Sequence, residues 1–285
     1  MRLMPDAAGR DSLDVLTIGR VVIDLYPLLD RITLDRVDTF RRYLGGSPTN
    51  VAAAAARLGH SAAVITRTGD DPFARFVHQE LRRLGVRDDY VSEVAGVNTT
   101  LAFCEIFPPE DFPLYFFRSP TPPDLLIEPR ELDLDTIAVA AIYWSTLTGL
   151  SQEPSRSAHL SAWEARDRHD FTVLDLDYRE SYWDSPEQAR IEGRRALDHA
   201  SVVVGNRTEC QIVLGESDPD RAAEALLAAG VSLAIIKSGP SGVLARTRER
   251  RVHVPAFSID VVNGLGAGDG FGGALCHGLL TSLEL

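Results

Sequence analysis

The sequence predicts an α/β fold: a mostly parallel sheet flanked by helices, with a small β lid. Short apolar runs rich in β-branched residues alternate with amphipathic helical segments along most of the chain, a rhythm typical of a parallel sheet covered on both faces. One stretch, residues 99–117, breaks this rhythm with two aromatic runs. The length of 285 residues and the hydrophobic content of 45% are sufficient for the core of such a fold.

In the first third of the chain, the sequence pattern predicts three strands and two helices, with a glycine turn before the first helix. The run DVLTIGR over 14–20 is a buried strand, and segment 21–33 is a strand that leaves the main sheet. Residues 43–59 predict a glycine turn followed by an alanine-rich helix, with Gly59 as its C-cap. Next come a strand over 62–67 and a helix over 71–84.

The aromatic stretch over 99–117 predicts two antiparallel strands, because its apolar runs flank the turn signal P-P-E-D. We expect these strands and segment 21–33 to form a lid. We expect residues 14–285 to form a single domain that includes this lid. The β/α rhythm then resumes. Further strands are predicted at 136–144, 171–176, 201–205, 233–237 and 243–246, with helices at 153–168, 186–199 and 218–229.

The charge balance excludes several classes of partner. The 41 acidic residues outnumber the 29 basic ones, giving a formal charge of −12 that argues against binding nucleic acid or an anionic membrane. No apolar run is long enough to predict a membrane span, and the N-terminus lacks the apolar core of a signal peptide. The three cysteines are far apart and predict neither a disulfide nor a zinc site, so we expect a cytoplasmic protein.

The strongest local signal is the segment NGLGAGDGFGG over 263–273, which precedes an apolar helical run. Its small residues Gly266, Ala267 and Gly268 let backbone N–H groups converge at a helix start, which favours an anion. Asp269 follows directly, and a carboxylate beside an anion site suits a group that accepts a proton from an attacking hydroxyl. The alternative is a glycine-rich turn in which Asp269 is only an N-terminal helix carboxylate.

Two signatures together indicate a family. The segment NGLGAGD resembles the C-terminal signature of the ribokinase-like (PfkB) carbohydrate kinases, and GGSPTN over 45–50 resembles their N-terminal signature. The resemblance covers the chain from residue 14 onward. The fragments GRVVIDLYP, YLGGSPTN and NGLGAGD are most similar to the subgroup that phosphorylates 5-dehydro-2-deoxy-D-gluconate. The resemblance therefore implies a ribokinase-like fold and an ATP-dependent kinase that uses Mg²⁺.

By this resemblance Asp269 is the catalytic base, and the amides of Gly266, Ala267 and Gly268 stabilise the transferred phosphoryl group. The positions implied for sugar binding are Asp24, Gly45, Gly46 and Asn50. For Asp24 the alternative is a turn aspartate before Pro27, although a carboxylate after the apolar run VVI is a poor strand residue unless something uses it. For Asn50 the alternative is an N-cap of the alanine-rich helix, and both roles can hold together.

A sugar acid also requires a cation. The resemblance assigns this role to Arg118, at the end of the second lid strand, and to Arg179 in the segment DLDYRESYW. Because nearly all basic residues of this chain are arginines, the alternative for each is an ordinary surface charge.

The nucleotide site is assigned to two segments. Asn206 and Glu209 match the family's N-x-x-E element, whose glutamate orients water around Mg²⁺, although a helix N-terminus capped by Asn206 explains the same residues. Lys237, Gly239 and Gly242 in KSGPSG resemble the loop over which the nucleotide lies. Lys237 is the only lysine of the chain, which suggests a role in phosphate binding that arginine cannot replace.

The expected function is transfer of a phosphoryl group from ATP to the 6-hydroxyl of 5-dehydro-2-deoxy-D-gluconate, in myo-inositol catabolism. The alternatives are a 2-keto-3-deoxygluconate kinase, another ribokinase-like sugar kinase, or a catalytically silent sugar-binding module. We also expect a homodimer. Because relatives continue with further helices, we expect Leu285 to mark a truncated C-terminus and nucleotide affinity to be weak.

Overall fold

A ten-stranded sheet forms the centre of the molecule in a computed structural model, which describes residues 12–109, 111–169 and 171–281. The strands are β1 Val15–Ile18, β2 Val22–Pro27, β3 Phe40–Gly45, β4 Ala62–Gly69, β5 Val86–Arg87, β6 Val91–Val94, β7 Leu101–Cys104, β8 Leu114–Phe117, β9 Ile142–Thr146, β10 Thr172–Asp175, β11 Val202–Asn206, β12 Leu233–Lys237, β13 Val243–Arg246 and β14 Arg251–Val254. The α-helices are α1 Ser47–Arg57, α2 Pro72–Arg83, α3 Leu134–Val139, α4 Ser155–Arg166, α5 Pro186–Leu197, α6 Arg207–Leu214, α7 Pro219–Ala228 and α8 Ala267–Leu280.

The large sheet has the order β14-β13-β12-β11-β10-β9-β1-β4-β5, with β6 also paired to β4. All strands from β5 to β12 in this order are parallel, and β13 and β14 add an antiparallel edge. The carboxyl ends of the parallel strands therefore lie along one edge of the sheet, where ligands of open α/β folds collect. The predicted fold class, a mostly parallel sheet flanked by helices, is confirmed.

Helices cover both faces of this sheet, as the alternating strand and helix signals predicted. One core packs α1, α2 and α8 against one face, and a second core packs α3 to α7 against the other. Because neighbouring strand residues point to opposite faces, Val15 belongs to the first core and Leu16 to the second. Within the described part of the chain, no helix has the length and apolar character needed to cross a membrane.

A second, smaller sheet of four strands lies beside the large one, in the order β3-β2-β7-β8. Strand β2 pairs in parallel with β7, and β7 pairs antiparallel with β8. The two antiparallel strands predicted within 99–117 are thus present, and segment 21–33 leaves the large sheet as expected. The smaller sheet also contains β3, which the sequence did not predict because its residues FRRYLG alternate poorly.

Other differences from the predicted elements have local causes. The predicted strand over 136–144 is wrong in its first half, because the Asp133 carboxylate accepts the Thr136 N–H and begins helix α3. The strand itself, β9, starts only at Ile142. Strands β5, β6 and β14 were not predicted, since they are at most four residues long and lie partly exposed at the sheet's edges.

Helices α1 and α8 pack against each other at close range, because small residues face each other. A methyl group added to Gly273 of α8 would overlap the Ala54 methyl group of α1. At Gly278, five residues further along α8, an added methyl group would meet nothing within 4 Å. An added methyl group would therefore overlap α1 at Gly273 but would be accommodated without contact at Gly278.

We expect Gly273→Ala to lower the free energy of unfolding by about 1–3 kcal/mol through overpacking. Gly278→Ala is the matched control and should raise it by about 0.5–1 kcal/mol, because alanine restricts the unfolded chain and favours helix. Urea unfolding of both variants measures the difference. Equal effects of the two substitutions would contradict close packing of α1 and α8.

Candidate active site

Helix α8 carries Asp269 in its first turn, at the carboxyl edge of the large sheet. The helix begins after Gly266, which has a φ of 77° and is therefore in the left-handed region that suits glycine. The first turn of a helix leaves N–H groups without intrahelical acceptors, and its dipole favours an anion. The Ala267 N–H already reaches the Gly264 carbonyl oxygen at 3.4 Å, a long hydrogen bond that an anion would have to replace.

The Asp269 side chain is held by a residue from the other end of the chain. The Asn50 side-chain amide donates a hydrogen bond to Asp269 Oδ2 at 2.8 Å. Burial raises the pKa of Asp269, Asp177 adds to this rise, and the hydrogen bond from Asn50 opposes it. Asn50 lies inside α1, whose N-cap is Gly46, so the alternative of Asn50 as the N-cap is wrong.

Asp24 lies on β2 and is close to Asp269 in space. Burial raises the pKa of Asp24 to about 7, with Arg20 lowering it and Asp269 raising it. Gly45 of β3, which pairs with Val22 of β2, leaves the space that the Asp24 carboxylate fills, because an added methyl group at Gly45 would overlap it. Gly45 is therefore needed to accommodate Asp24.

A cavity of about 400 Å³ connects these groups. Six of the residues predicted for catalysis or sugar binding line it: Asp24, Gly46, Asn50, Arg179, Gly266 and Asp269. Asp24 and Asp269 thus face the same space, although they are far apart in the sequence. Aromatic residues of the small sheet, Tyr26, Tyr43 and Phe116, complete the wall.

Arg20 also lines this cavity, and the sequence analysis missed it. Its Nη1 lies 2.7 Å from Asp177 Oδ2 and donates a 2.7 Å hydrogen bond to Thr148 Oγ1. Asp177 also pairs with Arg179 at 3.2 Å. Burial alone would raise the pKa of Asp177, but the two arginines hold it below its ordinary value. The available signal was position, because Arg20 and Asp177 directly follow β1 and β10 at the ligand-binding edge.

Arg118 lies outside the cavity, contrary to the position expected for a substrate-binding residue. Its guanidinium carbon stacks 3.4 Å from the centre of the Tyr182 ring, and its side chain lines a neighbouring groove with Phe117 and Ser119. The sequence placed Arg118 correctly at the end of a strand of the small sheet. The direction of its side chain, however, is set by the Tyr182 ring.

The N-x-x-E segment forms the start of helix α6. Glu209 N–H donates to Asn206 Oδ1 at 2.9 Å, and Asn206 N–H donates to Glu209 Oε2 at 2.6 Å, so the two residues form a capping box. Asn206 therefore caps helix α6, as the alternative interpretation of this segment predicted. Burial and the nearby Asp175 raise the pKa of Glu209.

Lys237 ends strand β12 and lies between Gly268 of helix α8 and the carboxylate of Asp175. Its Nζ is 3.6 Å from Asp175 Oδ1 and 3.6 Å from where a methyl group on Gly268 would lie. Burial alone would lower the pKa of Lys237, but Asp175 and Glu209 outweigh it and raise the value. The loop of Gly239 and Gly242 follows, joining β12 to β13. Asp175 is a second residue that the sequence analysis did not single out.

This arrangement can transfer a phosphoryl group to an alcohol. The partly buried Asp269 carboxylate, in the first turn of α8, faces the cavity, and the Lys237 ammonium group lies beside the same turn. A carboxylate such as Asp24 can bind hydroxyl groups within the same cavity. The fold and the site together define an α/β kinase that acts on a small hydroxylated substrate.

Comparisons with known proteins identify the kinase family. Residues 12–285 match the pfkB family of carbohydrate kinases. The chain is 33% identical over 288 residues to 5-dehydro-2-deoxygluconokinase of Geobacillus thermodenitrificans, covering 99% of this chain and 85% of the relative. It is 35% identical over 270 residues to fructokinase-1 of Oryza sativa subsp. japonica, covering 94% and 83% respectively. The chain belongs to the pfkB family and is a carbohydrate kinase.

The solved structures agree on the fold. Fructokinase from Vibrio cholerae, bound to fructose, ADP and a calcium ion, superposes with a TM-score of 0.80 at 24% identity, covering 95% of this chain and 85% of that one. At this identity the similarity establishes the ribokinase-like fold alone.

The raised pKa of Asp24 predicts a dependence of stability on pH. Asp24 has an ordinary pKa of 3.8 and a folded value of about 7. Between these values the unfolded chain has lost the proton that the folded chain retains, so stability falls as pH rises. Relative to Asp24→Asn, we expect the wild type to lose up to about 1.4 kcal/mol per pH unit from pH 5 to 7.

Urea unfolding of both proteins at pH 5, 6 and 7 measures this difference. Asp35→Asn, at a side chain that is 75% exposed, is the control for loss of a carboxylate. If the curves of the wild type and Asp24→Asn stay parallel, Asp24 does not carry the proton.

Proposed function

We propose that the protein transfers the γ-phosphoryl group of ATP to the 6-hydroxyl of 5-dehydro-2-deoxy-D-gluconate. The observation that carries this proposal is the placement of Asp269, held by Asn50 at the start of α8, in one cavity with Asp24 and Arg179. A base, a carboxylate for hydroxyl groups and a cation for a sugar acid thus face one another. The most similar curated relatives include kinases of this substrate.

Asp269 is the proposed general base. Its Oδ atoms take the proton of the 6-hydroxyl while the hydroxyl oxygen forms a bond to phosphorus and the bond from phosphorus to the ADP oxygen breaks. The hydrogen bond from Asn50 fixes the orientation of the carboxylate. Because burial raises its pKa, Asp269 is a stronger base than an exposed carboxylate.

The backbone of residues 266–268 is the proposed anion site. Its N–H groups and the dipole of α8 are fixed before the reaction, so they stabilise developing phosphoryl charge without reorganising. Lys237 faces the same turn from the far side of Gly268 and adds a compact positive charge. The loop of Gly239 and Gly242 extends the site toward the rest of the nucleotide.

The residues present fit a magnesium ion bound mainly through phosphates and water. No group of three or more His, Cys, Asp or Glu side chains within 12–109, 111–169 and 171–281 could hold a metal by itself. Glu209 and Asp175 supply the oxygen atoms that Mg²⁺ prefers, and a cation near them would relieve the repulsion that raises the pKa of Glu209. When bound, Mg²⁺ neutralises phosphate charge.

Two other substrates are consistent with this family. The fructokinase relative favours a neutral ketose, and a 2-keto-3-deoxygluconate kinase would require the same cation as the proposed substrate. The three arginines that line the cavity, Arg20, Arg57 and Arg179, favour an acid. A role in myo-inositol catabolism, a cytoplasmic location, a homodimer and a lid function for the small sheet stay predictions.

A substrate panel with coupled detection of ADP tests this function. We expect turnover of 5-dehydro-2-deoxygluconate to exceed that of 2-keto-3-deoxygluconate and fructose. Asp269→Asn should lower kcat by about 10³-fold or more, because it removes the proton acceptor. An unchanged kcat in that variant would refute the proposed base. Calorimetric binding of sugar without turnover in the wild type would favour a sugar-binding module.

Lys237 allows a labelling test, since it is the only lysine of the chain. Pyridoxal 5′-phosphate condenses with an amine, releasing water, and borohydride reduces the imine to a stable adduct. We expect peptide mapping to find the adduct on Lys237 and ATP to prevent it. Lys237→Arg should raise the KM for ATP about tenfold, because a guanidinium cannot replace the compact ammonium. Labelling that ATP does not affect, or an unchanged KM, would place Lys237 outside the nucleotide site.

A further inference from the structure

Arg20 is a buried cation at the sugar cavity that the proposed phosphoryl transfer does not use. The side chain is only 5% exposed, yet it lines the cavity. Nη1 has two partners, Asp177 and Thr148. Within the described residues, Nε and Nη2 have no hydrogen-bond partner, and neither atom is fully enclosed by protein. The guanidinium is therefore fixed through Nη1, and Nε and Nη2 can still donate hydrogen bonds to a ligand.

The surroundings of Arg20 hold it in one orientation. Asp177 and Thr148 bind one end, and the Tyr182 ring lies 5.5 Å from the guanidinium carbon. Holding an arginine out of water is costly unless its donors are paired. A ligand carboxylate is the partner whose two oxygens match a guanidinium edge.

The ion pairs at this wall do not use the whole Arg20 guanidinium. Arg20 and Arg179 share a single carboxylate, that of Asp177. The two other acids that line the cavity, Asp24 and Asp269, form no ion pair with Arg20 in the described part of the chain. Arg20 is thus paired only through Nη1, and its remaining guanidinium edge is open to an anion bound in the cavity.

We propose that Arg20 determines the specificity for an anionic sugar by pairing with the substrate carboxylate, and that Asp177 is its positioning residue. This inference rests on the proposed function, and it adds Arg20 to the role that the resemblance implied for Arg118 and Arg179. Arg118 stacks on Tyr182 and lines the neighbouring groove instead.

Binding of two matched ligands tests the inference separately from catalysis. D-gluconate and D-glucitol differ mainly in the carboxylate, and calorimetry gives the ratio of their affinities. We expect the wild type to favour gluconate at least about tenfold, and Arg20→Gln to reduce this ratio to below about threefold. If Arg20 had a purely structural role, Arg20→Gln would lower the affinity for both ligands alike and leave the ratio of the affinities unchanged.

Two further variants complete the design. Arg57→Gln removes another positive charge from the cavity lining and should keep the ratio. Arg118→Gln tests the competing assignment. The inference is overturned if the wild type does not discriminate, if Arg20→Gln retains discrimination, or if Arg57→Gln or Arg118→Gln removes it equally. The two proposals can also fail separately. If the wild type phosphorylates only fructose, the proposed substrate is refuted. If the wild type nevertheless prefers gluconate to glucitol in binding and Arg20→Gln loses that preference, the role of Arg20 is supported.

Arg20→Gln leaves Asp177 with one fewer partner and can destabilise the fold. The paired variant Arg20→Gln/Asp177→Asn removes both charges and avoids an unbalanced buried carboxylate. We expect the paired variant to lose the preference for gluconate over glucitol as well. Its unfolding transition is measured in parallel to show that it is folded. Retained discrimination in a folded paired variant would equally overturn the inference.

Discussion

The candidate site depends on the packing of helix α1 against helix α8. This contact brings Asn50, near the start of the chain, to within hydrogen-bond distance of Asp269, 219 residues later. It is possible because small residues let the two helices approach closely, as the contact of Gly273 with Ala54 shows. Any change in the separation of the helices would move the carboxylate relative to Asp24 on the small sheet. Packing far from the reacting atoms thus sets the geometry of the site.

Charge is concentrated where the parallel strands end. Arg20, Asp175, Asp177 and Lys237 all lie at or just beyond the carboxyl ends of strands in the large sheet. Burying these groups together is unfavourable unless each has a partner, and their partners are one another. Their mutual pairing still leaves Arg20 lining the cavity. The same arrangement divides the edge into a region around Arg20 that lines the cavity and a region around Lys237 that lies beside Gly268.

Much of the fold could be predicted because hydrophobic periodicity and turn residues act locally. Most strands of the large sheet, most of the longer helices and the separate hairpin followed from these signals, whereas helix α3 was not predicted and α6 was predicted only as an alternative. Prediction failed where tertiary contacts decide the structure. Strand β3 is stabilised by pairing with β2 rather than by its own sequence pattern, and the start of α3 depends on a single aspartate cap. Short edge strands such as β14 have too few residues for a periodic signal.

The sequence by itself determined the glycine turn before Asp269, because the backbone of residues 266–268 needs small residues wherever the turn lies in the fold. It also determined the N-terminal signature around Gly45 and Asn50. Only the tertiary structure decided which arginines reach the cavity. The sequence pointed to Arg118 and not to Arg20. In the structure Tyr182 directs Arg118 into a separate groove, whereas Asp177 and Thr148 hold Arg20 at the cavity wall. A long side chain can point in many directions from one backbone position, so its partners in space determine what it binds.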